Sequence, residues 1–171
     1  MPGRFNVLAT TLRGQEPLGV ATLTNILSEL NDPDPKVEIT DVHGVITAQT
    51  SLDPFEVVER IREMAVKEPW KVSGLMRVIP IERVVETRLE KIVEAVDALK
   101  ERIPPEATYK VVVEKRHTQL SSREIIEAVA SRIERKVRLE NPDWIVLIEV
   151  LGGLTGISVI RPDQILSLVK V

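Results

Sequence analysis

The chain lacks cysteine altogether and has only two histidines among its 171 residues. The absence of cysteine excludes disulfide bonds, thiolate zinc sites and cysteine nucleophiles. His43 and His117 alone provide too little imidazole for a usual transition-metal site, so we expect neither metal nor cofactor. No apolar run approaches the roughly 20 residues of a membrane span, and the first residues show no signal pattern. These absences predict a cytoplasmic protein with no membrane contact.

Aromatic residues are also scarce, at 3%, whereas hydrophobic residues make up 43% and charged residues 29% of the chain. The core must therefore consist of Val, Ile, Leu and Ala. We expect Tyr109 and the two Trp residues to be structural. Many charges and few thermolabile residues are typical of a thermophilic protein.

The net charge of −3 conceals an uneven distribution. Residues 1–86 carry 9 Lys and Arg against 13 Asp and Glu, whereas residues 87–171 carry 14 against 13. Within residues 110–138 the ratio is 8 basic to 4 acidic. A basic segment within an acidic chain indicates a surface for an anionic partner.

The pattern of residues 1–86 predicts strand, helix, strand, strand, helix, strand. The second helix opens with a capping box at Asp53, and His43-Gly44 suits the turn of a hairpin. The last strand is expected over residues 75–85, with an interruption at Pro80. This order of elements predicts a ferredoxin-like, split βαβ unit.

Residues 87–171 begin with a second capping box at Thr87, whose helix is expected to reach Ile103. A strand over residues 109–114 follows, and a third capping box at Ser121 opens a helix predicted to end near Arg138. We expect that helix to bury Ile126 and Val137.

The remaining segments predict further strands. Residues 144–151 are almost entirely apolar, as in a central buried strand, and Trp144 is expected in the core. Gly152-Gly153 turns the chain into a returning strand, and a last short strand is expected within residues 165–171.

The segment between the strand at residues 109–114 and the third capping box combines cations with hydroxyls at a helix N-terminus. Amides at a helix start attract anions, so this arrangement suits a phosphate. The same residues also fit an ordinary helix cap beside solvated cations. The candidates are Lys115, Arg116, His117, Thr118, Gln119, Ser121, Ser122 and Arg123.

Weaker candidates lie elsewhere. Gly153 and Thr155 would allow close approach of an RNA backbone, although a hairpin turn explains the glycines equally well. Arg13, after the first strand, is either a phosphate contact or an exposed loop arginine. The same alternatives apply to four cations near a predicted helix C-terminus, where positive charge is favoured in any case. These are Arg132, Arg135, Lys136 and Arg138.

No catalytic motif is recognisable. The chain has no Gly-rich phosphate loop, no G-x-S-x-G elbow and no H-E-x-x-H pair, and His117 has no assignable acid or nucleophile partner. We therefore expect no catalytic residues and no enzyme. A small-ligand regulatory or enzymatic domain on a ferredoxin-like fold, or a protein-interaction scaffold, remains an alternative.

Four segments of the second half resemble a THUMP domain in their order and in their amino-acid sequences: residues 109–118, 121–130, 137–150 and 153–159. They are most similar to stand-alone archaeal THUMP proteins related to the tRNA-binding partner of the tRNA cytidine acetyltransferase. The resemblance implies an α+β protein with a ferredoxin-like unit at residues 1–86 and a THUMP-type α/β unit with a mixed sheet at residues 87–171.

The resemblance also implies a function. A THUMP domain binds RNA, chiefly tRNA at its acceptor end, so that an enzyme modifies a distant base. With no enzyme domain apparent in the sequence, we expect an adaptor that presents tRNA to a separate enzyme, such as an RNA cytidine acetyltransferase. Residues 115–122 then become the leading RNA site, where cations and helix-terminal amides hold phosphate.

Overall fold

A computed structural model describes residues 4–168 of the chain, in which ten β-strands and four α-helices divide between two units. The first unit extends to Ile81 and includes the chain again from Asp163, and the second runs from Glu82 to Pro162. The predicted α+β class is confirmed. Within residues 4–168 we find no helix with the length and hydrophobicity needed to cross a bilayer.

The first unit is an antiparallel sheet with two helices packed on one face. Its helices are α1 (Glu16–Glu29) and α2 (Pro54–Lys67). Its strands are β1 (Val7–Thr10), β2 (Lys36–Ile39), β3 (Val45–Gln49), β4 (Arg77–Pro80) and, from the C-terminal segment, β10 (Leu166–Ser167). The spatial order β10-β4-β1-β3-β2 contains the four-strand order of a ferredoxin-like fold, as predicted.

Local signals explain the elements of the first unit. The Asp53 carboxylate accepts a hydrogen bond from the Phe55 amide at 2.9 Å, which caps α2, and Pro54 occupies the first turn. The hairpin between β2 and β3 turns at Gly44, as predicted, with φ of +78°. The core between the sheet and the helices includes Val7, Ala9, Leu23, Ile26, Leu27, Ile46, Val57, Val58, Ile61 and Val78.

The second unit is a mixed sheet with two helices on one face. Its helices are α3 (Leu89–Leu99) and α4 (Ser122–Ala130). Its strands are β5 (Arg83–Glu86), β6 (Thr108–Glu114), β7 (Lys136–Val137), β8 (Trp144–Leu151) and β9 (Leu154–Ile160). In the order β5-β9-β8-β6-β7, β6 is parallel to β7 and β8, and the other pairs are antiparallel. The predicted mixed sheet is therefore confirmed.

The core of the second unit explains the apolar run of β8. Its alternate residues Val146, Ile148 and Val150 pack under α3 and α4, and the intervening residues of the strand are buried as well. A strand buried on both faces has no solvated side, so its sequence shows no alternation. The helices contribute Ile92, Val96, Ile125 and Val129 to this core.

The ends of three elements differ from the sequence expectations. The segment expected to form one strand over residues 75–85 forms two strands, β4 and β5. Strand β4 ends before residues 81–82, β5 begins after them, and the two strands belong to different sheets. Helix α3 is not capped by Thr87, because that hydroxyl pairs with the hydroxyl of Thr155 at 2.8 Å. In the C-terminal segment, β10 pairs with β4 of the first sheet, and residues 169–171 of the predicted strand lie outside the described residues.

Helix α4 ends at Ala130, eight residues before the predicted end at Arg138. The chain instead reaches β6, where the Arg138 amide donates to the Tyr109 carbonyl at 2.9 Å and β7 forms. The expectation that Ile126 and Val137 are buried is therefore wrong. Both side chains are exposed. Val137 is 52% exposed because β7 is a two-residue strand at the sheet edge.

Candidate nucleic-acid interface

The predicted site lies in the second unit, on the loop from β6 to α4. A complete capping box fixes the start of α4, as predicted. The Ser121 hydroxyl accepts a hydrogen bond from the Glu124 amide at 3.0 Å, and the Glu124 carboxylate accepts one from the Ser121 amide at 3.1 Å. The Thr118 hydroxyl accepts another from the Leu120 amide at 3.2 Å. Ser121 and Thr118 thus serve mainly to order the loop.

The turn between β8 and β9 lies against this loop. The Gly152 amide donates a hydrogen bond to the Arg116 carbonyl at 2.9 Å, and a Cβ at Gly152 would lie 3.9 Å from the Cβ of His117. Both Gly152 and His117 have left-handed backbones, with φ of +59° and +54°. Gly153 is exposed in the same turn. The fold therefore brings together two segments that were separate candidates in the sequence.

The guanidinium of Arg116 is engaged inside the protein. Its Nη1 lies 2.7 Å from Oε1 of Glu149 on β8, and the two side chains are 17% and 0% exposed. A carboxylate buried in an otherwise apolar strand is costly unless a charge compensates it. The pair ties the loop to the middle of the sheet. We therefore assign Arg116 a positioning role, in place of the phosphate contact expected from the sequence.

The side chains that remain on the loop surface are basic or polar. Arg123 forms an ion pair with Glu127 at 2.8 Å, but both side chains are largely exposed, so the pair is weak. The Ser121 hydroxyl already occupies the Glu124 amide, and the rest of the first turn of α4 still presents a partial positive charge that favours an anion nearby. We call the following exposed or partly exposed residues the α4 loop surface: Lys115, His117, Gln119, Ser122 and Arg123.

Two of the weaker candidates lie away from this surface. Thr155 is fully buried, and its hydroxyl is engaged by Thr87, so it offers nothing to an RNA backbone. Arg13 belongs to the first unit and is exposed on the loop between β1 and α1. Thr155 therefore drops out of the candidate surface, and Arg13 stays a separate candidate.

Glu16 fixes the loop that carries Arg13. Its carboxylate accepts hydrogen bonds from the Gly44 amide at 2.8 Å and from the Gly14 amide at 2.7 Å. These bonds, the one from Gly44 above all, hold the pKa of Glu16 below its usual value. A Cβ at Gly44 would lie 2.9 Å from the Thr11 carbonyl oxygen, so only glycine fits this turn.

Sequence reasoning missed the role of Glu149, although a single carboxylate within the apolar strand β8 was a visible signal. The expectation that both Trp residues are structural is wrong for Trp70, which is 68% exposed, whereas Trp144 packs against the second core. Tyr109 is buried in that core, as expected. Among residues 4–168, no group of His, Asp and Glu side chains has an arrangement that could hold a metal ion.

Residues 86–160, less than half of the chain, match the family profile of the THUMP domain. Three solved structures have a similar fold over most of this chain. PH1313 from Pyrococcus horikoshii is 21% identical, with 92% of this chain and 55% of that chain covered and a TM-score of 0.69. TrmN from Thermus thermophilus is 18% identical, with coverages of 91% and 45% and a TM-score of 0.59.

The third is a 4-thiouridine synthetase in complex with RNA and bound ATP, 15% identical, with coverages of 92% and 42% and a TM-score of 0.52. This chain spans about half the length of these structures. At these identities the likeness shows the fold alone. No curated protein sequence gives a significant match to the chain.

Proposed function

We propose that this chain binds tRNA through the α4 loop surface and presents it to a separate modification enzyme. The observation that carries the proposal is that the THUMP match at residues 86–160 includes the whole of this loop and the Gly152 turn beside it. A THUMP domain is an RNA-binding domain. One matched structure of similar fold is a 4-thiouridine synthetase solved with RNA, which supports RNA as the ligand class.

The loop is well suited to phosphate. Lys115 and His117 project from a loop whose backbone is fixed by the capping box and by the Gly152 hydrogen bond, so ordering it on binding costs little entropy. The first-turn amides of α4 add partial positive charge. Contacts of this kind position the RNA backbone without reading its sequence, so selectivity comes from the shape of folded tRNA.

The proposed adaptor role rests on the lack of a recognisable catalytic motif in the sequence. We propose that the chain holds tRNA while another protein carries out the chemistry, and that cytidine N4-acetylation by an RNA cytidine acetyltransferase is that chemistry. Adding the chain to such an enzyme should raise the rate of tRNA acetylation at limiting tRNA. An unchanged rate would argue against this partner and leave RNA binding unaffected.

A salt titration of tRNA binding tests the RNA site. The affinity should fall steeply with salt, and removing the 3′ single-stranded end of the tRNA should weaken binding. Lys115→Gln should weaken binding of all tRNAs alike and reduce the salt slope by about one. Lys67→Gln, which also removes an exposed positive charge, in this case from α2, is the matched control and should leave the slope unchanged. Equal affinity for tRNA and an acidic polymer such as polyglutamate would contradict the proposal.

A further inference from the structure

Three cations converge on the outer edge of the second sheet. Lys136 of β7 pairs with Thr108 of β6, and the Arg138 amide donates to the Tyr109 carbonyl at 2.9 Å. Side chains alternate between the two faces of a strand, so Lys110, Lys136 and Arg138 lie on the face opposite the buried Tyr109. The Lys110 ammonium reaches toward the next loop, 3.4 Å from the Leu139 carbonyl oxygen. We call these three cations the basic edge.

The basic edge is distinguished from neighbouring cations by how little compensates its charge. Arg132 pairs with Asp97 at 2.6 Å, and Arg135 pairs with Glu101 at 3.7 Å. Within residues 4–168, in contrast, none of the three basic-edge side chains has an acidic oxygen within 4 Å.

One carboxylate does lie near the edge. Asp143 accepts hydrogen bonds from the amide and the hydroxyl of Thr108, at 2.9 and 3.1 Å. These bonds, and to a lesser extent the charge of Arg138, lower the pKa of Asp143, so this carboxylate compensates part of the charge of the edge. Lys136 and Arg138 are two residues apart on one strand, a separation of about 6.6 Å, and Lys110 lies on the adjacent strand, about 4.8 Å away. These are backbone spacings, and they place the three cationic side chains on one small area of the surface. Like charges there repel one another, and this repulsion is relieved when an anionic chain lies across them.

We propose that the basic edge is a second contact for the RNA backbone, which acts together with the α4 loop surface. The inference rests on the proposed function, since it assumes RNA as the ligand. Both surfaces flank β6: Lys110 and Lys115 are five residues apart, or about 16 Å at strand spacing. A stretch of RNA backbone that runs along β6 for this distance reaches both.

The small exposed apolar area at this edge also favours RNA over an acidic protein as its partner. Exposed apolar area is limited to Val137 and Leu139, so a protein partner would find little to bury beyond the charges. A phosphate backbone needs only regularly spaced cations.

The test compares a triple variant, Lys110→Gln with Lys136→Gln and Arg138→Gln, with a control that loses the same three charges elsewhere in the second unit. The control carries Arg83→Gln, Arg88→Gln and Lys91→Gln, on β5 and the start of α3. For tRNA binding by the full chain, the slope of log affinity against log salt concentration should become less negative by about 2 in the triple variant. The control should keep the wild-type slope, and both variants should keep the wild-type melting temperature within a few degrees.

The outcomes separate the two proposals. If the triple variant keeps the wild-type slope while Lys115→Gln flattens it, the inference about the basic edge is overturned and the proposed function stands. If the wild-type chain binds tRNA no better than polyglutamate, both fail. If the wild-type chain prefers polyglutamate and the triple variant loses that preference, the edge is a surface for acidic protein and the inference is also overturned.

Discussion

The ion pair between Arg116 and Glu149 offers the sharpest test of how the loop is held. Replacing Arg116 with Met keeps most of the side-chain length and removes the positive charge. Glu149 then keeps its buried position on β8 without the guanidinium that lies 2.7 Å away. Breaking a buried pair by removing one partner typically costs 3–5 kcal/mol. Because Arg116 is 17% exposed and water reaches part of it, we expect about 3 kcal/mol, the lower end of that range.

The reciprocal change should restore much of this loss. In the double variant Arg116→Met with Glu149→Leu, no charge remains buried, and apolar replacement of a buried ion pair is often neutral or stabilising. We therefore expect the double variant to recover at least half of the stability that the single variant loses. For a chain of this size, about 3 kcal/mol corresponds to a decrease in melting temperature of roughly 6–12 °C.

Urea unfolding followed by tryptophan fluorescence suits this measurement. Trp144 packs against the second core and Trp70 is exposed in the first unit, so a Trp70→Phe background reports the second unit alone. Arg123→Met is the matched control, because its pair with Glu127 is 87% and 64% exposed and should be worth less than about 1 kcal/mol. If Arg116→Met cost no more than this control, or if the double variant were less stable than the single one, the positioning role would be refuted.

Two further predictions concern the turns beside the candidate residues. Gly152→Ala should cost about 1–2 kcal/mol in urea unfolding because Gly152 has φ of +59°, although the added Cβ meets His117 only at 3.9 Å. Gly152→Asn should cost less, because Asn tolerates a left-handed backbone, and equal costs would contradict this explanation. Glu16→Gln should lower the free energy of unfolding at pH 7. The pKa of Glu16 is lowered in the folded state, so its stabilisation is full above the unfolded pKa and is lost as pH falls through the folded one. The stability difference between wild type and variant should therefore shrink below about pH 4, and a difference that is independent of pH would refute the assignment.

Elements with strong local signals were predictable from the sequence. The capping residues Asp53 and Ser121 mark real helix starts, because a side-chain oxygen there satisfies an amide of its own first turn. The reciprocal bond that completes a capping box is present at Ser121. Gly44 and Gly152 mark real hairpin turns, because each adopts a positive φ that glycine tolerates. These signals act within a few residues, and so a single sequence contains them.

The remaining features depend on partners far away in the sequence. Thr87 has the spacing of a capping residue, but its hydroxyl bonds to Thr155 across the sheet. Helix α4 stops early because the chain beyond it pairs with β6. Arg116 is a residue type that commonly binds phosphate at the surface, and it lies in a basic loop segment. Only the arrangement of β8 shows that Glu149 lies beside it. Local pattern cannot identify a partner on another strand, which is why the candidate site needed revision in its centre.

Burial and pairing, more than the count of charges, determine where RNA would meet this unit. Residues 110–138 contain eight cations, and four of them are engaged within the protein. Arg116 and Arg132 pair with carboxylates of other elements, Arg135 donates to carbonyl groups, and a fourth pairs with its helix neighbour. The other four divide between the α4 loop surface, with Lys115, and the basic edge. On the helical face, α3 carries acidic residues, among them Glu90, Glu94 and Asp97. An RNA backbone bound as proposed would therefore run along β6 and the start of α4 and avoid the acidic side of α3.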